Sequence, residues 1–473
     1  MKYSRFLLNY IKTQRKQQNQ LVIINKVTYK ATVISGNLRN GLRDYLPQMN
    51  EISKQNVDIV LLASEVSDSE TYGKADCTDN YDELIRDISL LANRFNIYVV
   101  THLYQKVQCQ GNVEAMKNNI VFDRKGAIVA VYTKPLNNYA TCNVTSQNTF
   151  TTDFGVEFLV LMEEDLLLQD LESLRNTKNV IITGRAADNM VYIKGNQLIA
   201  SLAYISDVNV LSDDGIFIGK AGLKSKGGVL EINKNGKDKH ITLSFNPIDI
   251  RDIPLEDTNQ YIIRPLDLEA SLSGYQETVC DGGFCCQFYV KTRSLCAKTT
   301  EAHYGLSVYS GVRRTGEHYI GVDSCKLVVC AALYKRTCVL GLESNMDVVF
   351  EKISIKGNFT AHHSTQFPVI LTTQTSMSSD SFSFVKKLTK DIQEVSAELS
   401  NAKNILKFGI LSRDFTRDYD DANFNSNSSG KIQYSNDFYE YILNEDIFEF
   451  FDYLWIKIRV LIFIVSIYIL EMM

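Results

Sequence analysis

The sequence predicts a layered α/β domain followed by a mostly β, cysteine-rich domain. Between residues 28 and 245, short apolar runs of strand length alternate with helical patterns, and this alternation favours an α/β architecture. From about residue 261 the pattern changes to short β-type runs, and seven of the ten cysteines lie between Cys280 and Cys338. The 473 residues, 45% hydrophobic and 22% charged, are enough for two or three domains with buried cores.

The elements of the first domain follow one another closely. The apolar runs Val57–Leu62 and Ile97–Val100 predict buried strands. Between them, Asn80–Glu83 has the spacing of a helix N-cap with a carboxylate three residues later, and apolar residues then recur at helical intervals. The segment Asn119–Tyr132 predicts a hairpin that turns on Gly126. Further apolar runs lie at residues 158–161, 180–182, 198–200 and 216–218.

The end of the β-rich domain carries a different pattern. Leu388, Ile392, Val395 and Leu399 recur at helical spacing and predict a helix. After it, Asn, Ser and Asp become frequent, which is typical of a linker. The predicted organisation is an N-terminal segment at 1–27, an α/β domain at 28–250, a β domain at 260–415, a polar linker at 416–446 and an apolar tail at 447–473.

The apolar tail predicts attachment to a membrane. Residues 460–470 carry no charge, and Lys457 and Arg459 precede them. A spanning helix needs about 20 apolar residues, which the tail supplies only if both cations reach back to the interface. A lipid-anchor signal would use small residues such as Ser428–Gly430, although a long spacer follows them. A packed terminal helix is the third interpretation.

The cysteines and the glycosylation acceptors favour an oxidising compartment. Cysteines this dense are kept paired outside the cytosol, and the spacing fits no zinc knuckle, so we expect disulfides and no metal or cofactor. Acceptor tripeptides begin at Asn143, Asn358 and Asn427. The N-terminus lacks the apolar run of about 7–15 residues that a signal peptide requires. We therefore expect an extracellular or cell-surface glycoprotein, and the net charge of −5 gives no reason to expect a nucleic-acid partner.

Several segments carry a family resemblance. In the first domain they are Asp58–Glu65, Asn96–Val100 and Asn118–Lys134, followed by the turn Asp153–Gly155. In the second domain it is the spacing of the cysteines, at positions 280, 285, 286, 325, 330 and 338. Over roughly residues 28 to 415 the chain resembles the vanin/biotinidase (pantetheinase-like) family of the carbon–nitrogen hydrolase, or nitrilase, superfamily. The resemblance implies a nitrilase-type α-β-β-α sandwich followed by a vanin C-terminal domain.

The resemblance also implies a chemistry. The family cleaves linear amides with a Glu–Lys–Cys triad, in which a thiolate attacks the carbonyl, glutamate is the base and lysine stabilises the oxyanion. By position, Glu65 corresponds to the base and Lys134 to the lysine. The nucleophile falls on Met162 or Glu163, and no cysteine occurs anywhere between Cys142 and Cys280. This member of a hydrolase family is therefore predicted to be a pseudoenzyme.

Two further features of the site point the same way. Glu163, Glu164 and Asp165 suit a helix N-terminus, and we expect Glu163 to form an ion pair with Lys134 inside the former pocket. Residues 181–188 replace the family's strand end, and the chain reaches Leu198 too soon for the long helix that lines the family's pocket. The substrate wall is therefore predicted to be rebuilt or missing.

Other constellations are weaker. Cys142 precedes the Asp153–Gly155 turn, so a disulfide is favoured over a role as replacement nucleophile. The adjacent His362 and His363 would point to opposite sides of a strand, which favours a surface loop over a metal site.

Three functional hypotheses remain open at this point. The first is an inactive vanin-like protein that acts as a secreted or membrane-attached binding or structural protein, with a small amide as its implied ligand. The second is an active amidohydrolase on pantetheine-like or biotinyl amides. The third is a damaged gene product.

Overall fold

The computed structural model describes most of the chain between Thr28 and Asp420. The described residues are 28–38, 41–64, 81–109, 112–136, 146–169, 174, 176–184, 195–235, 242–244, 260–294, 303–315, 318–330, 338, 348–372, 376–378, 381–403 and 405–420. The N-terminal segment and the apolar tail lie outside them. Among these residues, no helix is both long enough and apolar enough to cross a membrane.

Two six-stranded sheets form the N-terminal domain. The first contains, in spatial order, β12 (Leu230–Asn233), β1 (Thr28–Gly36), β2 (Ile59–Ser64), β3 (Tyr98–Cys109), β4 (Asn112–Phe122) and β5 (Ile128–Pro135). The second contains β11 (Leu223–Ser225), β10 (Gly215–Ile218), β9 (Asn209–Ser212), β8 (Asn179–Thr183), β7 (Glu157–Met162) and β6 (Thr149–Thr151). The central strands of each sheet run parallel. Parallel strands are covered on both faces, which explains their continuous apolar runs.

The space between the two sheets is an apolar core. Phe158 on β7 is fully buried there, with ring centroids 5.5 Å from Tyr29 and 5.4 Å from Phe150. Complete burial of one large apolar side chain stabilises the folded state by roughly 1.5–3 kcal/mol. The core holds the two sheets together. Polar side chains follow it at one end of the space between the sheets.

Helices cover the outer faces of both sheets. They are α1 (Leu46–Ser53) and α2 (Tyr81–Phe95) on the first sheet, and α3 (Asp165–Leu168) and α4 (Gly195–Ser206) on the second. Helix α2 buries Leu84, Ile88 and Leu91 on one face, and Arg94 in its last turn complements the helix dipole. The layers are therefore helix, sheet, sheet and helix, and the predicted α-β-β-α sandwich is confirmed.

A sandwich of two antiparallel five-stranded sheets forms the C-terminal domain. One sheet contains β14 (Ile262–Pro265), β17 (His303–Thr315), β18 (His318–Cys330), β24 (Ile405–Asp420) and β20 (Ser364–Thr372). The other contains β15 (Tyr275–Asp281), β16 (Phe284–Ser294), β19 (Val348–Thr360), β23 (Ile392–Lys403) and β22 (Phe382–Thr389). The remaining elements are the paired short strands β13 (Thr242–Ser244) and β21 (Ser376–Ser378) and the helical turn α5 (Leu268–Ser271). The predicted mostly β domain is confirmed.

Disulfides join the strands of this second sandwich. Adjacent cysteines on β16 point to opposite faces. Cys285 closes the β15–β16 hairpin with Cys280, and Cys286 crosses to Cys325 on β18 of the facing sheet. A third disulfide joins Cys330 to Cys338. The predicted disulfides are confirmed for these six cysteines.

The two domains are packed against each other. The buried guanidinium of Arg413 on β24 donates from Nε to the carbonyl oxygen of Leu167 on α3, at 2.7 Å. The hydroxyl of Ser201 on α4 donates to the carbonyl oxygen of Pro368 on β20, at 2.6 Å. Apolar residues of both domains share one cluster, in which Phe367 is fully buried. The described residues up to position 420 therefore belong to one compact unit.

The segment that was predicted as a helix near residues 388–399 forms two strands. Leu388 lies on β22 and Ile392 begins β23, and both are exposed, at 61% and 50%. On β23, Val395, Ala397 and Leu399 are buried and alternate with polar residues. Buried and partly exposed side chains alternate here from residue to residue, which is the pattern of a strand with one face against the core. The helix prediction is wrong.

Two other boundaries differ from prediction. The apolar run at 198–200 lies in helix α4, where Leu198, Ile199 and Leu202 form a buried stripe at helical spacing. A helix of 12 residues therefore follows β8, and the predicted absence of a helix there is wrong. Strand β24 continues to Asp420, beyond the predicted end of the β domain at 415.

Candidate functional site

The strand-to-helix turn after β7 is where the missing nucleophile would lie. Strand β7 ends at Met162, which is buried, and Glu163 and Glu164 precede the start of α3 at Asp165. The Asp165 side chain closes this turn, because its Oδ2 accepts from the backbone N–H of Met162 at 2.8 Å. Of the two predicted positions, Met162 therefore ends the strand and Glu163, also buried, begins the turn.

Two lysines lie side by side opposite this turn. Lys117 on β4 pairs with Lys134 on β5, and directly opposite residues share one face of a sheet. Val121 and Ala130, four residues away on the same strands, lie in the core between the sheets. Since alternate residues of a strand share a face, both lysines face the second sheet. Like charges placed directly opposite are destabilising unless acids compensate them.

Two carboxylates of the turn compensate these lysines. Glu164 lies between them, with Oε2 paired to Lys117 and Oε1 at 3.3 Å from Nζ of Lys134. Asp165 is the second partner of Lys134. The side chains are 6% exposed for Lys117, 20% for Lys134, 14% for Glu164 and 0% for Asp165, so the pairs are largely out of water.

The ion pair of Lys134 therefore forms with other residues than the predicted Glu163. The Asp165 side chain folds back onto the N–H of Met162, and this turn geometry brings Asp165 and Glu164 against β5. The predicted Glu163–Lys134 ion pair is therefore wrong, because the carboxylates that contact Lys134 are those of the next two residues.

The pairings shift the pKa values of the cluster. Burial acts to raise the pKa of Glu164, but Lys117 and Lys134 outweigh it and hold that pKa below its usual value. Burial acts to lower the pKa of Lys134, but Asp165 and Glu164 outweigh it, so this pKa is raised. Burial and then the charge of Asp165 raise the pKa of Tyr132 to about 12. At neutral pH, Lys134 is therefore an ammonium and Glu164 a carboxylate.

A second row of polar side chains lies beside the lysines. His102 on β3, Asn119 on β4 and Tyr132 on β5 are opposite one another. The Asn119 carboxamide is held from both ends: its Nδ2 donates to the carbonyl oxygen of Leu161 at 3.0 Å, and its Oδ1 accepts from the hydroxyl of Thr183 at 2.9 Å. The Nδ1 atom of His102 lies 2.6 Å from the same Oδ1.

The cluster supplies charges and hydrogen bonds but no thiolate. The family's route needs a nucleophile that forms a thioester, and the sequence has no cysteine between positions 142 and 280. A lysine stabilises an oxyanion when its charge is directed to that oxygen in the transition state. In this structure the charge of Lys134 is shared between Asp165 and Glu164. The cluster therefore differs from the Glu–Lys–Cys arrangement in two respects: it has no cysteine at the turn, and its lysine is paired with two carboxylates.

Only some of the other predicted site residues lie in the described part of the chain. Glu65, Cys142, Asn143 and Asn427 lie outside the described residues. Asn358 is exposed on β19, so its side chain is accessible to the glycosylation that its tripeptide predicts.

The two adjacent histidines lie in the short connection between β19 and β20. Both His362 and His363 are exposed there, in agreement with a surface loop. Within the described ranges, no three His, Cys, Asp or Glu side chains are grouped to hold a metal ion.

Sequence reasoning missed Lys117 and His102, and it placed Glu164 and Asp165 at a helix N-terminus without predicting that they pair with Lys134. Counting back from the turn on Gly126 does not find Lys117, because a bulge between Val121 and Phe122 shifts the register by one residue before Lys117 comes to lie opposite Lys134. The sequence also does not show which of the three consecutive acids, Glu163, Glu164 and Asp165, pair with Lys134. That depends on which side chain folds back over the turn.

Comparison with known proteins agrees with this architecture. A family model of the vanin C-terminal domain matches residues 255–418. Vanin-like protein 3 of Drosophila melanogaster is 25% identical over 396 residues, which cover 72% of this chain and 74% of that protein. Vanin-like protein 1 of the same organism is 25% identical over 309 residues, and the match covers 53% of this chain and 55% of that protein.

Solved structures give weaker similarities. An amidase from Nesterenkonia sp. is 13% identical with a TM-score of 0.32, and the match covers 46% of this chain and 93% of that one. A carbon–nitrogen hydrolase from Helicobacter pylori G27 is 14% identical with a TM-score of 0.31, over 44% of this chain and 84% of that one. Neither similarity is strong enough to bear on the site.

Proposed function

We propose that this chain, a vanin-like member of the carbon–nitrogen hydrolase family, has lost amide hydrolysis and acts as a secreted or membrane-attached binding or structural protein. The observation that carries the proposal is the pairing of Lys134 with both Asp165 and Glu164, beside a turn that has carboxylates and no cysteine. Loss of a covalent nucleophile typically removes several orders of magnitude of rate.

The balance of charges supports the same conclusion. An oxyanion that approached Lys134 would compete with two carboxylates that are already in place and partly desolvated. Displacing them would leave buried negative charges unpaired, which costs several kcal/mol. The lysine therefore stabilises the protein's own turn in preference to a transition state.

The rest of the molecule supports a folded protein rather than a damaged gene product. Its two cores, the disulfide Cys286–Cys325 and the hydrogen bond from Arg413 to Leu167 are mutually consistent features of a specified fold. The paired cysteines and the exposed acceptor Asn358 support an oxidising, secretory route.

An active amidohydrolase of pantetheinase or biotinidase type is the alternative. It would require a nucleophile other than cysteine at the turn after β7. No contact in the described residues favours this alternative. The experiment below would reveal it as measurable hydrolysis.

The test uses full-length protein purified from a secretory expression host. Pantetheine and biocytin are offered to the native chain and to a Lys134→Ala variant, and amide hydrolysis is measured. We expect both proteins to stay at the uncatalysed background. Hydrolysis by the native chain that disappears in the variant would overturn the proposal.

A further inference from the structure

His102 carries a buried atom that has no hydrogen-bond partner in the part of the chain that the structure describes. The residue is 7% exposed, and its Nε2 is buried and unpaired, whereas Nδ1 is bonded to Asn119. Buried polar atoms in native proteins are almost always satisfied, so each exception calls for an explanation.

The hydrogen bonds of Asn119 determine which imidazole nitrogen is protonated. Its Nδ2 donates to the carbonyl oxygen of Leu161, so its Oδ1 is the atom that faces His102. An amide oxygen only accepts, and Nδ1 of His102 must therefore carry the hydrogen. In the neutral ring, Nε2 is then a bare acceptor. Burial lowers the pKa of His102 to about 4, although the bond to Asn119 opposes this shift, so the ring is neutral at physiological pH.

The ring is also held in one orientation. A Cβ added to Gly184 would lie 2.6 Å from Cε1 of His102, and Gly184 has a φ of 73°, so glycine is needed on both counts. The Tyr104 ring meets the imidazole edge-on, with centroids 5.1 Å apart. Nε2 is therefore a preoriented acceptor, and a fixed partner costs little entropy to bind.

His102 lies at the same polar end of the inter-sheet space as the ion pairs. Its cross-strand partner Asn119 is two residues from Lys117 on the same face of β4. Lys117 and Glu164 are both close enough to act on its charge state. The acceptor and the ion pairs therefore belong to one local environment.

We propose that Nε2 of His102 is the recognition atom of a ligand site, and that its ligand is a small uncharged molecule that presents an N–H or O–H group. A carboxylate ligand has only lone pairs to offer at neutral pH and would meet the lone pair of Nε2. A cationic donor would have to leave water without a free carboxylate to pair with it, since Glu164 is already shared by Lys117 and Lys134. An uncharged N–H or O–H group can donate to Nε2 without lone-pair repulsion and without burial of an unpaired charge. The inference rests on the proposed binding function and specifies its ligand.

The test follows the imidazole nitrogens of His102 by NMR of the full-length protein labelled with ¹⁵N-histidine. The probes are propionamide and 1-propanol, with propionate as the control that matches propionamide in size and lacks a donor. His102→Phe keeps a ring against Gly184 and Tyr104 but removes the acceptor, and it also identifies the resonances. Thr183→Val is the matched control, since it removes a neighbouring hydroxyl and leaves Nε2 in place.

The expected result begins with the free protein, in which His102 is neutral and protonated on Nδ1. Propionamide or 1-propanol then causes a saturable change in the Nε2 shift, propionate causes none, and the change persists in Thr183→Val. Protonation on Nε2, an equal response to propionate, or no saturable response to either donor would overturn the ligand site.

Ammonia released from propionamide is measured in the same samples, which separates this inference from the proposed function. Ammonia together with the Nε2 response would contradict the loss of hydrolysis and leave the ligand site standing. A missing Nε2 response without ammonia would overturn the ligand site alone.

Discussion

The ammonium of Lys134 on β5 is paired with the fully buried carboxylate of Asp165, the first residue of α3. The same carboxylate accepts from the N–H of Met162, so one side chain both shapes the strand-to-helix turn and neutralises the lysine. Glu164 extends the pairing to Lys117. The polar end between the two sheets is thus organised by the protein's own charges.

Removing the lysine should destabilise the fold. Lys134→Met leaves Asp165 buried without its cation, and breaking a largely buried pair costs about 3 kcal/mol. The free energy of unfolding in urea measures this loss. The matched control is Lys291→Met, because the Lys291–Glu351 pair is much more exposed and its loss should change the free energy of unfolding far less. Equal losses in the two variants would mean that the Lys134 pair has no special role.

Acid should weaken the protein partly through Glu164. Its pKa is lowered in the folded state, so in acid the unfolded chain binds this proton more readily than the folded one. The stabilisation is fully present above the unfolded value, about 4.3, and is lost as pH falls through the folded pKa.

We therefore expect the free energy of unfolding to fall less steeply between about pH 5 and pH 3 in Glu164→Gln than in the native chain. Urea unfolding at a series of pH values measures the slope. Glu83→Gln on the exposed face of α2 should keep the native slope. Identical slopes for Glu164→Gln and the native chain would contradict the prediction.

The disulfide between the two C-terminal sheets should contribute more than the hairpin disulfide. Cys286 and Cys325 are 39 residues apart, and closing such a loop in the unfolded chain is worth about 4 kcal/mol. Cys280 and Cys285 are 5 residues apart, for which the same relation gives roughly 2 kcal/mol. Double replacement by alanine, followed by chemical unfolding, compares the two. A larger loss from the hairpin pair would show that chain entropy is not the deciding factor.

Arg413 should couple the two domains. Besides the bond to Leu167, its guanidinium is paired with Asp418 at 2.6 Å. Replacement by methionine leaves the buried carbonyl of Leu167 without this donor and the partly exposed Asp418 without its cation, which together cost about 3 kcal/mol. Calorimetry of Arg413→Met should give a lower and broader transition than the native chain. Arg264→Met, at an exposed position on β14, is the control, and the same broadening there would refute the coupling.

Much of the fold could be predicted because local pattern and tertiary structure agree. The hairpin on Gly126 and the helix after position 80 follow from turn chemistry and periodicity, and both are present. The strands β22 and β23 were mispredicted because Leu388 and Ile392 stay exposed. Their helical spacing therefore reflected no buried face.

The site was predicted only in outline. Lys134 could be placed because it follows the hairpin at the position that the family resemblance assigns to the catalytic lysine, and the missing cysteine is a property of the whole sequence between positions 142 and 280. The partners of Lys134 depend on the Asp165 side chain, which folds back and accepts a hydrogen bond from the backbone N–H of Met162. The unpaired Nε2 of His102 depends on contacts with Asn119 and Gly184 from distant parts of the chain. Such contacts are set by packing and leave no local signature.

We propose that the paired lysine and the turn without cysteine support no amide hydrolysis. Single-turnover measurement tests it most directly, with the native chain in molar excess over pantetheine or biocytin, because even one slow catalytic cycle would then be detected. We predict no product beyond the uncatalysed reaction over the lifetime of the folded protein. Conversion of the substrate in an amount that follows the protein concentration, and that is abolished by Lys134→Ala, would contradict the claim.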